Sequence, residues 1–159
     1  MKLPTVEALR EISDQHHAAG RKLVFTNGVF DLLHVGHVRY LQEARALGDA
    51  LLVAVNGDAS VRALKGPTRP INAEADRAEV LAALACVDHV IIFHEERVTE
   101  LVHAIQPQIY AKGGDYTIES LNREEVAALR EHGAEIRILP MVAGKSTTST
   151  IQKMSAPVA

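Results

Sequence analysis

TNGVFDLLHVGH, residues 26–37, ends an apolar run and opens a helical pattern, and its two imidazoles are spaced His34-x-Gly36-His37. Asn27-Gly28 suits a tight turn at a strand end, because glycine tolerates positive φ. Gly36 falls at the start of the next helix, where a missing side chain lets a ligand approach the backbone N–H groups of the first turn. His34 and His37 are one turn apart, so both face the same point. A nearby anion would keep such imidazoles protonated and donating. Two plainer readings compete. A metal pair needs a third ligand, and Asp31 is the one candidate close in sequence; alternatively, both histidines simply satisfy a turn.

Outward from this stretch, short apolar runs alternate with helical patterns. Lys22–Thr26, Ala50–Val55, His89–Phe93, Gln108–Ala111 and Ile136–Leu139 read as strands. Val38–Leu47, Ala73–Ala85, Arg97–Ile105 and Ile118–Glu131 read as helices. An opening helix is expected over Thr5–Ala19, capped by Thr5 and stopped by Gly20. The strands lack clean alternation, as when both faces of a sheet are covered. This order predicts an α/β fold, a Rossmann-like, doubly wound, parallel five-stranded sheet with right-handed crossovers. It also predicts one domain over 1–159: an N-terminal helix within 1–20, a core over 21–153 and a frayed tail over 154–159.

In such sheets the ligand crevice lies beyond the carboxyl ends of the strands. The segments expected there are NGVFDLLHVGH, then Asn56-Gly57-Asp58 with the loop LKGPTRPIN (64–72), then KGGDY (112–116) and PMVAGKSTT (140–148). Glycine, hydroxyl, basic and histidine side chains gather on one rim, a mixture that suits phosphate. Lys65 and Arg69 lie in the Gly/Pro-punctuated loop, and Arg77 begins the next helical segment. Loop lysines are usually just solvated; KGGDY, poor in strand formers, is the more specific ligand turn. Gly144-Lys145-Ser146-Thr147 ends like a phosphate-binding P-loop, but Leu139 stands where its first glycine belongs, and too little chain follows. A short helix over Thr147–Met154 capped by Ser146 fits better. His16, His17, His89, His94, His103 and His132 are scattered and read as surface or structural.

Composition bounds the remaining classes. The chain has 159 residues, 47% of them hydrophobic, and a formal charge of −3. That mild acidity argues against general nucleic-acid binding. Cys86 is the single cysteine, so no disulfide forms within the chain, and it reads as a small buried hydrophobe. No apolar stretch is long enough to span a bilayer, and MKLPTVEALREI lacks the apolar centre of a signal peptide. A soluble, cytoplasmic protein with no membrane or nucleic-acid partner is expected.

The histidine pair after an apolar strand, with a late Ser146-Thr147-Thr148, resembles the cytidylyltransferase-like nucleotidyltransferases over roughly Lys22 to Lys153. Taken with AVNGD, LKGPTRPIN and KGGDY, the pattern is most similar to the family's adenylyltransferases that act on heptose 1-phosphate. The resemblance implies transfer of AMP from ATP with release of pyrophosphate, and Mg²⁺ held through the nucleotide phosphates rather than by protein ligands. It also implies a homodimer and a separate heptose kinase upstream. His34 and His37 would meet the nucleotide phosphates, and Lys65 and Arg77 would neutralise the departing pyrophosphate. Thr26, Asn27, Gly28, Val29 and Phe30 would offer backbone donors, and Asp31 would orient the histidine turn beside Gly36. Gly113, Asp115, Ser146, Thr147 and Thr148 would frame the nucleoside, leaving Lys112 and Asp58 for the sugar phosphate. Related cytidylyltransferases for glycerol 3-phosphate carry an arginine where this chain has Met141, which favours adenosine over cytidine. A non-catalytic nucleotide-binding module is the remaining class, but a mere binder has no need of two imidazoles at the α-phosphate.

Overall fold

Five parallel strands in the order β3-β2-β1-β4-β5 form the centre of the computed structural model. The structure describes residues 3–114, 116–140 and 147–155. The strands are β1 (Leu23–Gly28), β2 (Ala50–Asn56), β3 (His89–Phe93), β4 (Ile109–Gly113) and β5 (Glu135–Leu139). The helices are α1 (Val6–Ala18), α2 (Val35–Arg45), α3 (Asp58–Lys65), α4 (Glu74–Ala82), α5 (Thr99–Ile105), α6 (Arg123–Glu131) and α7 (Thr147–Ser155). The chain steps outward from β1 through β2 to β3, then returns to the other side of β1 for β4 and β5. The strand order therefore reverses at β1/β4, where a crevice opens at the carboxyl ends.

Both faces of the sheet are covered, which explains the unbroken apolar strands. Leu23 and Phe25 of β1, with Ala50, Leu52 and Ala54 of β2, pack with residues of α1, α5 and α6. The intervening Val24, Leu51, Val53 and Val55 pack on the other face with Leu41 and Ala44 of α2 and Ala78 and Leu81 of α4. The period of two thus separates two cores, each apolar. At the opposite edge, side chains close the strand beginnings. Asp49 accepts from the Lys22 N–H, Gln108 from Leu23 and Asp88 from Leu51, each at 2.8 Å.

Several boundaries differ from expectation, for local reasons. α2 starts three residues before Val38, because His34 caps it. The single helix expected over Ile118–Glu131 is a 3₁₀ turn, Ile118–Ser120, followed by α6. Asn122 divides them: its Oδ1 accepts from Glu124 N–H at 2.9 Å and Glu125 N–H at 3.1 Å, starting a new helix. α3 was not among the expected helices, although Gly57 and Gly66 bracket it as cap residues. α7 includes Met154, as the helix expected from Thr147 did, and runs one residue further to Ser155, so these two residues are not part of a frayed tail. Among the described residues no helix is long and apolar enough to cross a membrane.

Candidate active site

α2 begins with its two histidines locked to each other. His34 Nδ1 accepts from the Gly36 N–H at 3.1 Å, and His37 Nδ1 accepts from the His34 N–H at 3.4 Å, a reciprocal capping box made from imidazoles. The rings stack with centroids 3.9 Å apart and an interplanar angle of 24°. An Nδ1 that accepts cannot carry a proton, so each ring keeps its proton on Nε2, turned away from the helix backbone. Burial, then the neighbouring His34, pushes the His37 pKa down to about 4. Without an anion beside it, His37 is therefore a neutral donor at pH 7; the protonated state expected above applies beside a bound anion. The Gly36 N–H already donates to His34 Nδ1, and Gly36 itself lines the cavity.

The loop before α2 is shaped by close packing. Phe30 has a positive φ of 47°, a left-handed conformation rare for a large side chain, and its ring meets His37 edge-on at 5.5 Å. A Cβ on Gly28 would lie 2.9 Å from that ring, so glycine is needed there. A Cβ on Gly113, at the end of β4, would lie 2.8 Å from the Tyr40 ring. Tyr40 bridges the strands: its hydroxyl is 2.6 Å from Thr26 Oγ1 and donates to Ala111 O at 3.0 Å. Burial pushes this phenol up to about 12, which leaves it a fixed strut rather than an acid or base. The neighbouring Tyr110 hydroxyl donates to Asn27 Oδ1 at 2.8 Å.

These elements enclose a cavity of about 340 Å³ at the β1/β4 crevice. Asn27, Gly28, Val29, Phe30, Asp31, His34, Gly36, His37, Lys65, Lys112, Gly113, Thr147 and Thr148, all expected at a nucleotide site, line it. Lys65 reaches it from the last turn of α3 rather than from a loop. Thr147 Oγ1 donates to Leu32 O at 3.1 Å and so pins α7 to the β1–α2 loop. Burial lowers the Lys112 pKa, with Glu125 opposing that and Arg97 adding to it, and its Nζ stands 5.6 Å from the Tyr116 ring centroid.

Four expectations change. Thr26 is fully buried and is not part of the lining. Arg77 is buried within the fold: it donates to Asn72 O at 3.0 Å, Val29 O at 2.7 Å and Asp58 Oδ1 at 2.8 Å. Its guanidinium braces the site from behind instead of facing a leaving group, and Asp58 is its counter-ion rather than a lining residue. Asp31 does not orient the histidines. Its carboxylate accepts from Arg69 Nε at 2.6 Å, Ile71 N–H at 2.9 Å and Asn72 N–H at 3.0 Å, which anchors the loop after α3. Burial is the largest single influence and raises its pKa, but the N–H donors of Asn72 and Ile71 and the Arg69 cation outweigh it and hold the carboxyl below its usual value. Asp115 and Ser146 lie outside the described residues.

Tyr40, which no expectation named, also lines the cavity, as do Arg69 and Tyr116, whose segments were expected on the rim without a role for either residue. Tyr40 stands three residues after His37, on the same helix face, a spacing that could have pointed to it. Asp31 is the one carboxylate in the described lining, and its oxygens accept from Arg69, Ile71 and Asn72.

Imidazole donors, a helix N-terminus and several cations around one crevice at the switch point define a nucleotide-handling α/β protein of the nucleotidyltransferase type. Residues 25–153 match the model of the cytidylyltransferase-like family, and the chain belongs to that family. It is 50% identical over 153 residues to "Bifunctional protein HldE" of Geotalea uraniireducens, covering 96% of this chain and 31% of that protein. The protein of the same name from Trichlorobacter lovleyi is 49% identical, with the same coverage. The chain thus spans about a third, 31%, of the length of these relatives. Among solved structures, a lipopolysaccharide core biosynthesis protein from Thermoplasma volcanium superposes with a TM-score of 0.64 at 32% identity, covering 77% of this chain and 98% of that one.

Proposed function

We propose that the chain transfers the adenylyl group of ATP to D-glycero-β-D-manno-heptose 1-phosphate, giving ADP-heptose and pyrophosphate. The observation that supports this is the interlocked His34–His37 pair, both of which line the cavity at the α2 N-terminus. An oxygen of the sugar phosphate attacks the α-phosphorus, a new P–O bond forms in line, and the bond to pyrophosphate breaks. No covalent enzyme intermediate is needed. Charge grows on the non-bridging and leaving oxygens, and preorganised donors in a partly buried site stabilise that growth. His34 and His37 donate to the phosphate oxygens. Lys65 draws the departing pyrophosphate, with Arg69, tethered by Asp31, beside it. Lys112 holds the sugar phosphate, and Gly113, Thr147 and Thr148 frame the nucleoside.

Mg²⁺ enters this proposal as the complex of the triphosphate, where it would offset charge on the phosphate oxygens. The choice of heptose rests on the sequence motifs and on similarity to the bifunctional relatives. A kinase acting earlier would supply the phosphorylated heptose. The assembly proposed is a homodimer, and sedimentation velocity would then return a dimer mass rather than 17.3 kDa.

The test is pyrophosphate release with Mg²⁺, crossing ATP and CTP against heptose 1-phosphate and glycerol 3-phosphate. Release with ATP plus heptose 1-phosphate alone supports the proposal. Release with CTP and glycerol 3-phosphate would keep the chemistry and overturn the substrates. No release from any pair, with ATP still bound, would make the chain a binding module.

A further inference from the structure

Away from the cavity, the carboxyl-terminal ends of α5 and α6 bring together His103, Glu131 and His132. One ligand atom from each lies within 4.8 Å of the others. His103 Nδ1 and His132 Nε2 are 2.9 Å apart across a separation of 29 residues, with the rings nearly perpendicular at 82°. The two imidazoles are half-buried and Glu131 is exposed. We infer that this cluster is a binding site for a borderline transition-metal ion of the Zn²⁺ class, one that staples α5 to α6.

Two facing ring nitrogens share a single hydrogen bond in the metal-free pair, so one ring donates and the other accepts. The metal replaces that bond. In the loaded site His103 carries its proton on Nε2 and His132 on Nδ1, and both converging nitrogens present lone pairs, so no proton is lost. Nitrogens at about 2.0–2.1 Å from a tetrahedral Zn²⁺ lie roughly 3.3 Å apart. The 2.9 Å separation therefore has to widen by only a few tenths of an ångström. Glu131, free to change rotamer on the surface, supplies the third ligand and one negative charge; water takes the fourth position. Two nitrogens and one oxygen select Zn²⁺ over the oxygen-seeking Mg²⁺ or Ca²⁺. The local field favours a cation as well. His132 is the C-cap of α6, where the helix presents its negative end, and His103 is in the last turn of α5. None of the three residues lines the catalytic cavity, so the inference stands independently of the proposed reaction.

The experiment is competition of the purified full chain for Zn²⁺ against a chromophoric chelator, with Co²⁺ absorption as a reporter of tetrahedral nitrogen ligation. Wild type should bind Zn²⁺ and gain thermal stability. His103→Gln and His132→Gln should each weaken binding by at least about 10-fold, the scale of losing one well-placed group at a metal. Glu131→Gln, at an exposed position that leaves the helix intact, should weaken it in the same direction and guards against misfolding of the histidine variants. His34→Gln/His37→Gln should bind as wild type. No Zn²⁺ binding by wild type would overturn the inference. So would binding that survives His103→Gln and Glu131→Gln but is lost in the His34→Gln/His37→Gln chain, which would place the metal at the cavity.

Discussion

At His37, spacing sets the place of the imidazole, while burial and the capped backbone set its protonation. The spacing of the motif shows that His34 and His37 face one point, and the structure brings both to the cavity. Their protonation depends on the backbone N–H groups that each Nδ1 caps, which the motif alone does not display. Two predictions follow from that geometry. His37→Ala should lower kcat by about 10²–10³, the cost of one positioned transition-state donor, while ATP affinity measured by calorimetry changes far less. Equal losses in both would make the histidine a ground-state contact. Lys112→Met should raise KM for the sugar phosphate and leave ATP binding near wild type, because Lys112 enters the cavity from β4 whereas Lys65 comes from α3. If ATP binding falls instead, Lys112 serves the nucleotide.

At the scale of elements, what was legible in the sequence was whatever local spacing controls. The five strands, the Thr5 cap of α1 and the stretches that bring Gly28, His34, His37, Lys112 and Gly113 to the cavity follow from periodicity and turn residues, whereas Asn56-Gly57-Asp58 does not line it. What escaped depends on partners distant in the chain. Arg77 looks like a cation at a helix start, but its counter-ion Asp58 is 19 residues away and its carbonyl acceptor Val29 is 48 away. α3 escaped because Asn56-Gly57-Asp58 reads as a turn, while Asp58 in fact begins a helix whose register sends Lys65 to the cavity. The Asp58–Arg77 pair joins α3 to α4, and the Arg77 side chain is 0% exposed against 26% for Asp58. Removing the partially exposed partner strands the buried cation. Asp58→Ala should therefore cost about 3 kcal/mol in denaturant unfolding, near the lower end for a broken buried pair. Asp58→Ala/Arg77→Met should recover part of that loss. A direct substrate role for Asp58 would instead show as a raised KM with unchanged stability.

Over the whole molecule, the buried and half-buried titratable groups make the fold sensitive to acid, and the site shares in this. His37 is held at about 4 by burial, with His34 adding to it, and His89 is lowered by burial, with His16 adding and Asp88 opposing. Each binds a proton more readily when unfolded, at its ordinary value of 6.5. Below that value the unfolded chain takes up more protons, so stability present at neutral pH falls as pH drops from 6.5 towards the folded values. Asp31, held below its ordinary 3.8, adds a second loss at lower pH, as its contacts with Arg69, Ile71 and Asn72 are protonated away. Urea midpoints measured from pH 7.5 down to 4.5 should fall in wild type, and less steeply in His37→Gln and His89→Gln. The two substitutions should differ in a second way. Saturating ATP with Mg²⁺ stabilises by mass action, by about 2.7 kcal/mol at 100 times Kd, wherever the cavity is intact. His89→Gln should keep that increment, since His89 opens β3 at the amino-terminal edge of the sheet, opposite the cavity. His37→Gln should lose part of it if the imidazole also contacts the ground-state triphosphate, and keep all of it if the contact forms only in the transition state. An acid slope unchanged in both variants would mean that neither histidine is held neutral by the fold, and the neutral-donor assignment at α2 would go with it.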